Sequence, residues 1–374
     1  MAPPIKLIHI VDFENKNSWF EQYLLLLTKY QIVSEVVALK KNPYLRIFCE
    51  ENGILFRGPA HFYFQAIFSY DRRGQEGFLL SHGYKPSLYA LLMSKILGTK
   101  FVVIHHHQPH FFNLLRSRKP FKASIHSKIA KVIYQASFAI QSFSSEVSEA
   151  LLESGISQTK IFFNPIGMDL EPLQECASIS SKEFISKNLD LNVVSVCRLS
   201  WEKNLGLAIE AIILAHQMDN RIQYFIYGVG PDKESLAQLI KARAAEKFIH
   251  LMGFERIILP RMKDADLFLH TSLTESYGQV VFEVFCLGTP ILSSRVGVSI
   301  DLAKITGTRV QLITDTSPEA LAMQITGILK QNQKRRPFNQ AEKVLLQTHS
   351  LTASVSNLVT FLIDSFEHSS KKSK

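Results

Sequence analysis

Thr274-Glu275-Ser276-Tyr277-Gly278-Gln279-Val280-Val281-Phe282-Glu283, running on into Gly288-Thr289-Pro290, is the stretch on which the reading of this chain turns. Two carboxylates stand eight positions apart, separated by a Ser-Tyr-Gly turn and an apolar run. In one continuous helix that spacing would set them about 80° apart around the axis. The turn predicts something else: Glu275 on a loop and Glu283 inside the helix that follows. Backbone N–H groups of Ser276, Tyr277 and Gly278 would then project from a helix N-terminus, where the dipole favours an anion. A phosphate ester flanked by two carboxylates that grip sugar hydroxyls suits that arrangement. A capped helix with one solvated glutamate is the plainer alternative.

Outward from this stretch, β-rich runs alternate with helical patterns. Strands are expected at Ile5–Val11, Val33–Leu39, Gly77–His82, Lys100–His105, Ala139–Phe143 and Lys160–Phe163, with helices between them. A Ser- and Pro-containing segment, Asn164–Asn188, reads as a loop, after which the alternation restarts. Asn192–Cys197, Gln223–Tyr227, Ile249–Met252, Leu267–His270 and Pro290–Ser293 are the next strands, and Gln279–Leu287 is the helix between the last two. Strands alternating with helices predict parallel sheets and doubly wound α/β units, whose ligand crevices lie at the carboxyl ends of the strands. The amphipathic segment Ser350–Phe366 predicts a closing helix.

Composition sets the outer limits. A chain of 374 residues with 46% apolar and 20% charged content predicts a globular protein of two domains. No apolar run reaches the length of a membrane span. Asp12 and Glu14 near the start argue against a signal peptide. Four scattered cysteines, Cys49, Cys176, Cys197 and Cys286, show no metal-ligand spacing and fit a reducing compartment, so a cytoplasmic location is expected.

The net charge of +9 is unevenly placed, with no acidic residue between Glu76 and Glu146. That interval holds Lys85, Lys95, Lys100, Arg116, Arg118, Lys119, Lys122, Lys128 and Lys131. Within it, His110 to Lys122 interleaves aromatic residues with cations. Such a stretch fits an anionic membrane surface, a nucleic-acid patch or a solvated loop with core anchors.

The Glu-x7-Glu spacing and its Gly-x-Pro tail resemble the signature of retaining glycosyltransferases of the GT-B fold, family 4 (glycosyl transferases group 1). The likeness covers nearly the whole chain and is strongest from Val193 to Glu319. It implies two Rossmann-like domains facing a central cleft: residues 1–170 on the acceptor side, completed by a C-terminal helix within 350–374 that crosses back, and residues 171–349 binding the nucleotide sugar. Val196-Cys197-Arg198-Leu199 with Glu202-Lys203-Asn204 resembles the segment that supplies the donor-phosphate cations, Arg198 and Lys203. His250-Leu251-Met252-Gly253-Phe254 resembles the strand end that meets the nucleotide base, which puts Phe254 in the donor site. By the same resemblance Glu275 holds donor-sugar hydroxyls, Glu283 the ribose hydroxyls, and Ser276, Tyr277 and Gly278 the phosphate. His105 aligns with the family's active-site histidine, although His106 and His107 leave the register open by one.

Two departures stand out. The glycine-rich loop expected after the first strand is replaced by Asp12 to Trp19, and the second glycine usual after Gly297 is Val298. Without glycine the backbone approaches a phosphate less closely, so the acceptor side must be built differently.

The resemblance implies transfer of a sugar from a nucleotide-sugar donor to a glycan or lipid-linked acceptor, in cell-envelope polysaccharide or glycolipid synthesis. Family members are thought to work by front-face attack, the leaving phosphate taking the acceptor proton. Arg198, Lys203, Glu275 and His105 are the expected catalytic residues. No metal or other cofactor is implied, the nucleotide sugar being a co-substrate. An anionic membrane surface is an expected partner through the basic 77–145 interval, nucleic acid is not, and the location would be cytoplasmic or peripheral on the inner face of the membrane. A scaffold of this fold that has lost turnover and acts as a binding module is the alternative.

Overall fold

The computed structural model describes residues 5–68, 77–104, 120–178, 190–331 and 337–371. The chain divides into two compact units, Met1–Met168 with Thr348–Lys374, and Asp169–Gln347.

The first unit is built on a seven-stranded parallel sheet. Its strands are β1 (Lys6–Val11), β2 (Val33–Ala38), β3 (Leu55–Arg57), β4 (Gly77–His82), β5 (Lys100–Ile104), β6 (Ala139–Ser142) and β7 (Ile161–Phe163). They lie in the order β3-β2-β1-β4-β5-β6-β7, so the winding reverses between β1 and β4. Parallel strands are covered on both faces, and their runs are accordingly apolar: Leu7, Ile8, Ile10, Val37, Leu79, Val103 and Ile140 are all buried. Asn17 and Asn42 accept from Phe20 N and Leu45 N and so start the helices Ser18–Lys29 and Pro43–Glu51, each cap worth about 1 kcal/mol. The Asn42 amide also donates to Phe13 O and Asn15 O at 3.0 and 3.1 Å, which ties down the loop that lacks glycine. The last helix, Leu351–Lys371, belongs to this unit. Asn164 Nδ2 donates to Ser354 O at 3.0 Å, and the Phe162 and Phe361 rings stack with centroids 4.3 Å apart.

The second unit carries six parallel strands: β8 (Leu191–Val196), β9 (Ile222–Tyr227), β10 (Ile249–Gly253), β11 (Leu267–His270), β12 (Ile291–Ser293) and β13 (Val310–Leu312). Their order is β10-β9-β8-β11-β12-β13, so the winding reverses between β8 and β11. A reversal of this kind opens a crevice at the carboxyl ends of the two strands. Helices Leu205–Met218 and Pro318–Lys330 pack together over one sheet face through Ala208, Ile212, Ala322 and Ile325.

Three places differ from the sequence expectation. β3 and β13 are edge strands of three residues, too short to show an alternation. Part of the expected loop Asn164–Asn188 is a helix, Glu171–Ser178, because Leu173 and Cys176, one turn apart, are buried and it packs on Gln279–Leu287. Within the basic interval the helix expected between β5 and β6 covers Pro120–Ala136, bounds that the sequence pattern did not give. Its apolar residues spread over more than half of the circumference, which blurs the 3.6-residue period. His110 to Lys119 of the aromatic-basic stretch lie outside the described residues, as do His105, His106 and His107.

Candidate functional site

Glu275 lies on the loop after β11, and Glu283 lies inside the helix Gln279–Leu287, whose N-cap Gly278 takes φ 88°. The turn chemistry read from Ser276-Tyr277-Gly278 therefore places the two carboxylates on different backbone elements. The Tyr277 side chain packs into the core, its ring 6.0 Å from that of Phe282. Its carbonyl accepts from Val298 N at 2.6 Å. A Cβ at Gly297, φ 54°, would sit 2.3 Å from that same carbonyl and 3.1 Å from Glu275 Cβ. Only glycine lets the two loops approach this closely.

Glu275 is the hub of an ionic network. Lys203 Nζ lies 2.6 Å and His270 Nε2 3.1 Å from Glu275 Oε1. Burial by itself would raise the Glu275 carboxyl, but the hydrogen bonds and charges of His270 and Lys203 outweigh it and hold the pKa at about 2. His270 ends β11, and its Nδ1 lies 2.9 Å from Ser293 Oγ, which is 2.7 Å from Ser299 Oγ. Ser272 Oγ lies 2.9 Å from His270 Nε2. His270 was not singled out by sequence reasoning. The available signal was its position at the carboxyl end of a strand beside the reversal, five residues before Glu275.

Lys203 closes a short 3₁₀ turn, Trp201–Lys203, and Asn204 follows in the left-handed region at φ 50°, which asparagine tolerates. Two contacts fasten this turn to the loop after β11: Thr271 Oγ1 donates to Lys203 O at 2.9 Å, and Leu273 N donates to Glu202 O at 2.8 Å. Lys203 is thereby held against Glu275 rather than left as a free cation.

Arg198 follows the end of β8 and is exposed. It lines a cavity of about 570 Å³ with Cys197, Tyr227, Gly228, Phe254 and Glu255. The Phe254 ring stands 77% exposed at this cavity. Burial pushes the Cys197 thiol up to about 12. Gly228 lies flat against the strand end: a Cβ there would sit 1.8 Å from Cys197 O. Among the described residues the Glu283 carboxylate has no hydrogen-bond or ionic partner, and burial raises its pKa. Asp266 accepts from Asn192 N at 2.7 Å, where it satisfies the start of β8.

Residues 180–344 match the family model described as Glycosyl transferases group 1. The chain carries a glycosyl transferases group 1 domain. Its fold is GT-B: Anabaena Alr3699/HepE, solved in complex with UDP and glucose, superposes with a TM-score of 0.75 at 17% identity, covering 96% of this chain and 100% of that one. Among curated relatives, the alpha-monoglucosyldiacylglycerol synthase of Acholeplasma laidlawii is 29% identical over 136 residues, 34% of each chain. A putative colanic acid biosynthesis glycosyltransferase, WcaL of Escherichia coli K12, is 27% identical over 152 residues, 38% of this chain and 36% of its own. The matches thus span only about a third of the length of these relatives. Arg198, Lys203, Phe254, Glu275 and Glu283 all lie inside the group 1 domain.

Proposed function

We propose that this chain is a retaining glycosyltransferase that moves a sugar from a nucleotide-sugar donor to a glycan or lipid-linked acceptor. The observation that carries the reading is the hub at Glu275. A carboxylate held ionised is clamped by Lys203 and His270 on the loop after β11, and the neighbouring strand β8 ends at a cavity that offers a cation, Arg198, and an exposed aromatic face, Phe254. In this reading the nucleotide base stacks on Phe254 and the diphosphate meets Arg198, whose planar fork suits two phosphate oxygens. Glu275 accepts from donor-sugar hydroxyls, and its low pKa keeps it an acceptor at any physiological pH. The half-buried Glu283 carboxylate, without a hydrogen-bond or ionic partner among the described residues, takes hydroxyl donors from the ribose.

The reaction breaks the bond between the anomeric carbon and the diphosphate oxygen and forms one from the acceptor oxygen to the same carbon. The acceptor proton passes to the departing diphosphate. Arg198 and the backbone at Gly278 lower the barrier by opposing the charge that grows on that leaving group. The fold neighbour solved with UDP and glucose supports testing UDP sugars first.

A thermal-shift panel of UDP-, GDP-, ADP-, CMP- and dTDP-sugars on wild type and Arg198→Ala tests the reading. Ligand at a hundred times its dissociation constant adds about 2.7 kcal/mol to stability. A shift with one nucleotide, lost in the variant, supports the donor site; silence across the panel with folded protein removes it.

A further inference from the structure

Two neighbouring helices of the first unit turn an uncovered apolar stripe, edged by lysines, to solvent. In Pro120–Ala136, Phe121 is 78%, Ile125 41% and Val132 56% exposed. At 100° per residue these three fall within about 40° of one another around the axis. Lys122 stands on one flank, Lys128 and Lys131 on the other, all exposed. In Tyr84–Leu97, Leu88 and Leu92 are also exposed, and the same geometry sets them between Lys85 and Lys95. The two helices pack side by side, with the Tyr84 and His126 rings 5.2 Å apart. They connect β4 to β5 and β5 to β6, successive parallel neighbours. Right-handed crossovers in one direction lay both helices on the same sheet face, so the residues that point away from the sheet share one outer surface.

Single exposed apolar residues need no explanation, but five on adjacent helices do. The segment 77–145 that contains both helices has no Asp or Glu. The next helix, Ser145–Glu153, carries Glu146, Glu149 and Glu153, which ends the basic tract.

We infer that Leu88, Leu92, Phe121, Ile125 and Val132, with Lys85, Lys95, Lys122, Lys128 and Lys131, form a docking surface for the headgroup level of an anionic lipid bilayer. The chemistry favours this occupant because the apolar centre and cationic edge are satisfied together only at such an interface. Apolar side chains enter the acyl boundary while lysine stems reach back to lipid phosphates. A nucleic acid would set Leu88, Leu92, Ile125 and Val132 against phosphates with no hydrogen-bonding group to read a base. Among the described residues no helix is long and apolar enough to cross a membrane, so the contact lies in the interface plane.

The surface is independent of the donor site, and its test needs no turnover. The full chain is co-sedimented with vesicles of phosphatidylcholine alone and with added phosphatidylglycerol, and titrated with a single-stranded and a duplex oligonucleotide. Each lysine near an anionic surface adds about fivefold in partitioning. Binding to the anionic vesicles only is expected, with about a hundredfold loss in Lys122→Gln/Lys128→Gln/Lys131→Gln. Phe121→Ser/Ile125→Ser/Val132→Ser should lose binding with all lysines in place, and Phe121→Trp should shift its emission to the blue on anionic vesicles. No partitioning of wild type, equal binding to neutral vesicles, or an oligonucleotide bound more tightly than the vesicles would each overturn the inference. All substituted side chains are solvent-facing, and an unchanged circular dichroism spectrum and melting temperature certify each variant.

Discussion

Lys203 Nζ lies 2.6 Å from Glu275 Oε1, an ion pair that closes 72 positions of chain between the ends of two adjacent strands, β8 and β11. Only 18% and 12% of the two side chains is exposed. The pair is therefore poorly screened, unlike the surface pairs Arg46–Glu50 and Lys40–Glu14.

The contacts of Glu275 with His270 and Lys203 make stability depend on acid. Glu275 titrates at about 2 in the fold against 4.5 unfolded, so its contribution is present above about 4.5 and is lost as pH falls through about 2. The shift corresponds to roughly 3 kcal/mol at neutral pH. Glu275→Gln should melt several degrees below wild type at pH 7, and the gap should narrow steadily from pH 5 to pH 3. A gap that stays constant over that range, read by calorimetry, would show that the ionic hub is not the cause.

The glycine turn beside the cavity should tolerate no side chain. Gly228 holds φ 139°, and a Cβ there would lie 1.8 Å from Cys197 O. Gly228→Ala must push back the strand end that carries Arg198, at a cost of about 1–3 kcal/mol for the strained backbone alone. Nucleotide affinity should fall with the melting temperature, whereas Gly206→Ala, inside the helix Leu205–Met218 with open space around its Cβ position, should lower neither.

Phe254 should separate binding from folding. Its ring is largely exposed and contributes little to the core. Stacking of a base on an aromatic ring is worth about 1–3 kcal/mol. Phe254→Ala should then weaken nucleotide binding by calorimetric titration about fivefold to a hundredfold, with the melting temperature unchanged. Full affinity in the variant would move the base elsewhere.

Glu342, which lines no part of the cavity, should matter for stability. It is fully buried, with Oε1 3.2 Å from Arg309 Nε and Oε2 accepting from Asn339 N at 2.8 Å. Arg309 also donates to Gly288 O at 3.2 Å and lies 4.5 Å over the Phe338 ring. Glu342→Ala leaves a buried guanidinium without its counter-charge, which costs about 3–5 kcal/mol. Denaturant unfolding should show the loss, while nucleotide affinity of the folded fraction stays at the wild-type value.

Much of the architecture was legible because it rests on local periodicity. The runs Gly77–His82, Leu267–His270 and Gln279–Leu287 appear within the bounds that their patterns predict. Glu171–Ser178 was not legible, because eight residues with two buried side chains look like any polar loop. The bounds of Pro120–Ala136 were hidden for the opposite reason: Phe121, Ile125 and Val132 place apolar residues on its outer face as well as its inner one. At the site, Ser276-Tyr277-Gly278 announced the break between Glu275 and Glu283, whereas His270 was marked only by its place at a strand end five residues before Glu275.

By itself, then, the sequence determined two parallel α/β units, the loop position of Glu275 and the helical position of Glu283, since propensity, turn residues and strand period act over a few neighbouring positions. Tertiary structure alone decided that Lys203 and His270 meet on one oxygen of Glu275, and that Arg198 instead faces the cavity beside Phe254. The physical reason is strand order. Pairing β8 with β11 brings two distant loops within hydrogen-bond reach, and the missing Cβ atoms of Gly228 and Gly297 let the neighbouring backbones close around them.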